Sequence, residues 1–149
     1  WGELELAWHL RQNDAPWLVV TGTNGKTTTT LMLESILQES GRRSVAAGNI
    51  GISLVETVMH PEPWDVLAVE VGAPQLPFVH SMSPQASVCL NLAPDHIDLF
   101  GSFEAYRAAK ARIYERTQVA AVYNEGDPET MRIPNALWSF ADGFKSIGR

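Results

Sequence analysis

Two glycines in Val19-Val20-Thr21-Gly22-Thr23-Asn24-Gly25-Lys26-Thr27-Thr28 part an apolar run from a leucine-rich segment of helical spacing, and no other stretch constrains this chain as much. A glycine loop set between a buried strand and a helix belongs to parallel α/β architecture. Gly22 and Gly25 allow a tight turn, in which the N–H groups of Gly22, Thr23, Asn24, Gly25, Lys26, Thr27 and Thr28 converge on an anion at the positive end of the following helix. Lys26 adds a point charge for the outer phosphates, and Thr27 offers a hydroxyl suited to Mg²⁺. The strict phosphate-loop pattern has a glycine where this chain has Val20, so the loop is a variant. Gly-Thr-Asn-Gly also makes a plain surface turn, but Lys26-Thr27 and the strand-loop-helix context favour the phosphate reading.

The same alternation runs on through the sequence. Trp17-Leu18-Val19-Val20-Thr21 is apolar without alternation, as suits a strand covered on both faces. Residues 26–40 read as a helix with Leu33, Ile36 and Leu37 at helical spacing, Leu31 and Met32 widening the apolar face, and Gly41 ending it. A second strand at 45–47 leads to Gly48-Asn49-Ile50-Gly51, then to a helical stripe of Leu54, Val55, Val58 and Met59. A third strand spans 65–71, with Glu70 near its C-terminal end and prolines at 74 and 77 breaking any regular continuation. Residues 86–92 give a fourth strand, 93–98 a polar loop, and 103–116 a helix with Ser102 as N-cap. A fifth strand at 119–123, a short helix starting at Asp127-Pro128-Glu129 and a last strand at 136–140 before an Asp142-Gly143 turn complete the reading. The expected fold is α/β, a doubly wound, mostly parallel sheet with helices on both faces. Residues 1–16 form a lead-in whose first ten residues make a short helix packing Leu4 and Trp8. Residues 17–149 form a single domain.

Composition narrows the function. With 11 Lys+Arg against 17 Asp+Glu the net charge is −6, which argues against a general nucleic-acid or anionic-membrane binder, so affinity for phosphate has to be local. The one cysteine, Cys89, sits in an apolar run and reads as a small buried hydrophobe. No basic-then-apolar leader opens the chain and no apolar stretch approaches the roughly 18 residues that span a bilayer, so a cytoplasmic location is expected.

In sheets of this kind ligands bind across the C-terminal ends of the strands, and the unusual polar residues fall there: Lys26 and Thr27, Asn49, Glu70, then Asp95 and His96. Glu70 has the place of an acid that holds Mg²⁺ opposite a phosphate loop, or of a solvated strand-end carboxylate. His96 could bind a second metal or a substrate, or do neither. Asn49 could be functional or simply occupy a left-handed turn. Lys110, in Tyr106-Arg107-Ala108-Ala109-Lys110-Ala111-Arg112, reads on composition as part of a solvated helix face.

Taken together, TGTNGKTTTT, GNIG at 48–51, the strand ending in Glu70, APDHIDLFGSFEAY at 93–106 and AAKARIYE at 108–115 resemble the central ATP-binding domain of the Mur ligases over about residues 17–124. GNIG and Gln75-Leu76 are most similar to the member that adds D-glutamate to UDP-N-acetylmuramoyl-L-alanine. The diaminopimelate- or lysine-adding member shares the loop and an Asp-His-x-Asp stretch, and folylpolyglutamate synthase shares the loop. The resemblance implies ATP-dependent amide formation through an acyl phosphate in peptidoglycan synthesis. It implies ATP at residues 22–28, a first Mg²⁺ at Thr27 and Glu70, a second Mg²⁺ at His96, muramoyl contacts from Asn49 and His96, and Lys110 carried as a carbamate. Lys26, Glu70, His96 and Lys110 are then the catalytic set, in a monomer with neither nucleic-acid nor membrane partners.

Two departures from the family pattern stand out. Where the family has Ser-Ser-Phe or Ser-Ser-Tyr after the glutamate, this chain has Gly72-Ala73-Pro74, losing two hydroxyls. The family's UDP-binding and C-terminal amino-acid-binding domains do not fit in 149 residues, and the part that holds the nucleotide base is unrecognisable after Tyr123. A truncated central domain, with little turnover by itself, is therefore expected. A noncatalytic nucleotide-binding module is the alternative.

Overall fold

A computed structural model describes residues 1–95, 97–132 and 144–147. In chain order the elements are helix α1 (Glu3–Leu10), strand β1 (Trp17–Thr21), helix α2 (Lys26–Glu39), strand β2 (Ser44–Gly48), helix α3 (Leu54–Val58), strand β3 (Val66–Glu70) and a 3-10 helix at Ala73–Phe78. Strand β4 (Ala86–Cys89), helix α4 (Ile97–Phe100), helix α5 (Phe103–Ala111) with a 3-10 turn at Arg112–Tyr114, strand β5 (Ala120–Asn124), helix α6 (Pro128–Arg132) and strand β6 (Phe144–Ile147) come after it. The strands form one sheet in the order β2-β3-β1-β4-β5-β6, and every pairing is parallel. The doubly wound α/β class expected from the alternation is the one observed. The last strand expected at 136–140 and the turn at 142–143 lie outside the described residues, and β6 lies just beyond them.

Chain direction decides which face each helix covers. From β1 the chain crosses to β2 on one side, whereas the steps β2 to β3, β3 to β4 and β4 to β5 all run the other way across the sheet. Right-handed crossovers then place α2 on one face and the later connections on the opposite face. Alternate side chains divide in the same way. Trp17 and Val19 enter the main core with Leu4, Leu54, Leu67, Val69 and Tyr106, while Leu18, Val20, Val88 and Val122 line a shallow hollow on the other face beside Leu33 of α2.

Three elements differ from the sequence reading, each for a local reason. Of the expected apolar face of α2, Leu33 and Leu37 are half-buried, whereas Ile36 and the flanking Leu31 and Met32 are exposed and Thr30 is buried. Polar side chains of α2 also serve β2, an edge strand: Glu34 accepts the Ala46 N–H at 2.8 Å and Gln38 Nε2 donates to the Ser44 carbonyl at 3.0 Å. The helix expected over 103–116 starts at its Ser102 cap but leaves α geometry after Ala111. There Tyr114 turns inward, and its hydroxyl accepts from Cys89 N at 2.8 Å and donates to Val122 O at 2.5 Å, bridging β4 and β5. Residues 97–100 form the short helix α4 where a loop was expected.

The lead-in packs as expected. Leu4 and Ala7 are buried, and Trp8 meets Trp17 edge-on with ring centroids 5.0 Å apart. Cys89 is fully buried, and burial pushes its thiol up to about 12, which leaves it inert. Among the described residues no helix is long and apolar enough to cross a membrane.

Candidate nucleotide-binding site

Parallel pairing aligns the strand ends, with Val20 opposite Glu70, Gly48 opposite Glu70, and Thr21 opposite Cys89. The loops after β1, β2, β3 and β4 therefore share one rim. Since α2 leaves β1 toward one face while the neighbouring β3 and β4 connect across the other, a crevice opens beside the β1 loop. A cavity of about 250 Å³ occupies it, with Lys26, Asn49, Gly72, Asp95, Tyr106 and Lys110 in its walls.

The glycine loop is closely fixed at its start. Gly22 has φ +154, and a Cβ there would lie 3.1 Å from Leu90 Cβ. Asn91 Oδ1 accepts from both Thr23 N and Asn24 N at 2.9 Å, and its Nδ2 donates to Asn24 O at 2.9 Å. The Thr23 hydroxyl accepts from Ala93 N at 3.0 Å and lies 3.0 Å from the Tyr106 hydroxyl. This corrects the expectation that the amides of 22–28 converge together, because those of Thr23 and Asn24 are occupied within the protein. The first turn of α2, at Lys26, Thr27 and Thr28, carries N–H groups to which a helix offers no internal acceptor, the kind of donor that suits an anion. Gly25, at φ +82, makes the turn into that helix. Lys26 lies back along the loop, its Nζ 3.3 Å from Thr23 O.

Glu70 is only 2% exposed, not a solvated strand-end carboxylate. Its Oε2 accepts from Thr27 Oγ1 at 2.9 Å and its Oε1 from Asn49 Nδ2 at 3.4 Å. Asn49 does not take the left-handed turn itself; Gly48 (φ +105) and Gly51 (φ +53) do. That frees the Asn49 side chain for the carboxylate, while its N–H donates to Glu70 O at 2.9 Å.

Lys110 is the largest correction to the composition-based reading. It is 1% exposed, on the inward face of α5 with Tyr106. Its Nζ donates to Thr21 Oγ1 at 3.0 Å and to Gly22 O at 2.9 Å, and sits 5.3 Å from the Tyr106 ring centroid. Burial is the main cause pulling its amine down to about 8. Burial likewise pushes the Tyr106 phenol up, against the hydrogen bond with Thr23. His96 lies outside the described residues, although its neighbour Asp95 lines the cavity. Among the described residues no group of three or more His, Cys, Asp and Glu is placed to hold a metal by itself.

Asn91, Thr21 and Tyr106 were missed by reading the sequence. Asn91 fell inside the strand expected over 86–92, whereas β4 ends at Cys89 and leaves it two residues beyond. Thr21 and Tyr106 depend on strand register and helix phase, which no local pattern reveals.

A phosphate-loop α/β domain with a buried carboxylate at the adjacent strand end is thus defined by fold and site. The sequence profile of the Mur ligase middle domain matches residues 20–141, and the chain belongs to that family. It is 50% identical over 149 residues to a UDP-N-acetylmuramoylalanine--D-glutamate ligase of Streptomyces avermitilis, covering 99% of this chain and 32% of that one. The solved structure of a UDP-N-acetylmuramoyl-L-alanyl-D-glutamate--2,6-diaminopimelate ligase shares the fold at a TM-score of 0.74 and 20% identity, over 91% of this chain and 32% of that one. The MurF ligase of Thermotoga maritima in complex with ADP does so at 0.72 and 20%, over 98% and 36%. The chain spans about a third of the length of the curated relatives it matches.

Proposed function

We propose that this chain is the central ATP-binding part of a ligase that joins D-glutamate to UDP-N-acetylmuramoyl-L-alanine in peptidoglycan synthesis, working as a cytoplasmic monomer. Residues 17–149 supply the ATP-binding unit and residues 1–16 lead into it; the UDP group and the incoming amino acid are held by other domains of the polypeptide. One observation carries the reading: Lys26, the Thr27–Glu70 pair and buried Lys110 gather around one loop, in a chain 50% identical to a ligase of that name.

Atom by atom, a carboxylate oxygen of the muramoyl substrate attacks the γ-phosphorus, the bond to the β–γ bridging oxygen breaks, and ADP leaves. The amine nitrogen of D-glutamate then attacks the acyl carbon, phosphate departs with its C–O electron pair, and the nitrogen gives up a proton. Lys26 and the first-turn N–H groups of α2 stabilise charge on the transferring phosphoryl. Thr27 Oγ1 and Glu70 Oε2, 2.9 Å apart, are hard oxygen donors that suit Mg²⁺, an ion that takes few protein ligands beside phosphates. Bound there, the ion would neutralise charge on the triphosphate. Asn49 orients Glu70 and, with His96, would meet the muramoyl substrate; His96 would also hold a second Mg²⁺.

A lysine ammonium would repel that second cation. Carbamylation removes the conflict: the neutral amine attacks CO₂, Nζ loses a proton, and one negative charge shared by two oxygens replaces the positive charge. A pKa of about 8 supports this role, because roughly a tenth of the amine is then neutral at pH 7, against about one part in 2,500 at the ordinary lysine value.

Phosphate release by the full-length polypeptide tests the proposal, with ATP, Mg²⁺, UDP-N-acetylmuramoyl-L-alanine and either D- or L-glutamate. Release only with D-glutamate is expected. Lys110→Arg is expected to abolish it, and Lys110→Ala to lose it but recover in part with a short carboxylic acid; full activity in either variant ends the carbamate role. The cavity wall at Gly72-Ala73-Pro74 has no hydroxyl, which supports a second reading: a Mur-type ligase for another acceptor, of the diaminopimelate- or lysine-adding or folylpolyglutamate type. Release with one of those acceptors, and not with D-glutamate, would select it. No release with any acceptor, but intact ATP binding, would leave a noncatalytic nucleotide-binding module.

A further inference from the structure

The end of β4 contributes a residue whose side chain makes no bond to its own strand. Asn91 directs three side-chain hydrogen bonds onto the glycine loop: Oδ1 accepts from Thr23 N and Asn24 N, and Nδ2 donates to Asn24 O, each at 2.9 Å. The amide orientation is fixed by its partners, since the reversed group would set NH₂ against two N–H donors and oxygen against a carbonyl. Thr23 extends the contact, with its hydroxyl accepting from Ala93 N and its N–H also reaching Asn91 O at 3.1 Å. The glycine loop and the segment from Asn91 to Ala93 are therefore joined by both side-chain and main-chain bonds.

We propose that Asn91 is a positioning residue for the nucleotide: its side-chain amide holds the glycine loop in the binding shape before a triphosphate arrives. This rests on the reading that the loop takes ATP. Peptide N–H groups bind phosphate well only when already aimed, since aiming them on binding costs conformational entropy. By consuming the N–H groups of Thr23 and Asn24, Asn91 stops the loop from closing on itself in other ways and sets Gly25 at the start of α2. The same bonds tie the loop to the strand-end segment that leads to Asp95, so the two respond to nucleotide together.

Amide hydrogen exchange and Mg-ATP titration of the chain, with Asn91→Ala and Asn91→Asp, test this. The Asn24 N–H is the reporter, because the Thr23 N–H keeps its main-chain acceptor when the side chain is removed. In Asn91→Ala, Asn24 is expected to exchange at least about tenfold faster while Val19 and Val69 stay slow, and Mg-ATP to bind at least about tenfold more weakly. Asn91→Asp retains both acceptor bonds but sets its second oxygen against the Asn24 carbonyl, so Asn24 is expected to exchange more slowly than in Asn91→Ala and faster than in the parent, with Val19 and Val69 slow in both, which separates loss of the clamp from loss of the fold. Unchanged exchange at Asn24 in Asn91→Ala would overturn the proposal, as would unchanged Mg-ATP affinity once Asn24 has been released. Should the parent chain bind no Mg-ATP, the ATP reading fails in the parent alone, and the exchange comparison still decides whether the clamp exists.

Discussion

Two glycines near the same carboxylate are glycines for opposite reasons. A Cβ on Gly48 would sit 2.3 Å from the Glu70 carbonyl oxygen, in a backbone conformation, φ +105, that L side chains rarely adopt. Gly48→Ala must move the end of β3, and with it Glu70, at a cost of roughly 2–4 kcal/mol. Gly72, in contrast, would place a Cβ no closer than 3.4 Å to Asn49 Nδ2 and 3.5 Å to Gln75 Oε1, at an ordinary φ of −85. Gly72→Ser is expected to fold with a stability change within about 0.5 kcal/mol while adding a hydroxyl to the cavity wall. Urea unfolding of both variants checks the contrast; equal losses would show that the spacing around Gly72 is not what it tolerates. Nothing in the letters Gly-Asn-Ile-Gly distinguishes a glycine demanded by a neighbouring carbonyl from one demanded by a turn, and only the register of β2 on β3 does so.

Among the elements, α1 is attached by a charge as well as by its apolar face. Glu5 is buried, which by itself raises a carboxyl pKa, but N–H groups of His80 and Ser81 donate to its Oε2 at 2.8 and 2.9 Å and His9 meets Oε1 at 3.0 Å. The hydrogen bonds win and hold the carboxyl down at about 2, from 4.5. A folded-state pKa below the unfolded one means that the stabilisation is complete above about pH 4.5 and drains away as the pH falls toward 2. Glu5→Gln is therefore expected to lower stability at neutral pH and to flatten the fall in urea midpoint between about pH 4.5 and 2. An unaltered slope in that window would place the acid sensitivity elsewhere. This attachment was hidden in the sequence, where Glu5 reads as an ordinary first-turn acid and its partners lie 75 residues away. Helix α2 was misread only in part, at Leu31, Met32 and Ile36, for a related reason. Its apolar spacing was visible, but the demand of an edge strand for polar partners belongs to the sheet order, not to the helix.

For the whole molecule, the readable part was what alternation and parallel strands force: five of the six strands, the phosphate loop, and the convergence of Lys26, Asn49, Glu70 and Asp95 on one rim. The burial of Lys110 and the bonds of Asn91 were not readable, because each depends on how distant segments register once the sheet exists. The rim arrangement has a consequence for stability, since a ligand there bridges the ends of β1 and β3 and binds only the folded chain. At a hundred times its Kd such a ligand stabilises by about 2.7 kcal/mol, so Mg-ATP is expected to raise the unfolding midpoint measurably. On the proposed reading, the part of the rise owed to Mg²⁺ would pass through Thr27 and Glu70, whose oxygens lie 2.9 Å apart. ATP with a chelator is thus expected to give a smaller rise than Mg-ATP in the parent chain, and Glu70→Gln to make the two rises equal. Equal rises in the parent chain would detach the carboxylate from the nucleotide, whereas a difference that persists in Glu70→Gln would move the cation to other ligands on the rim.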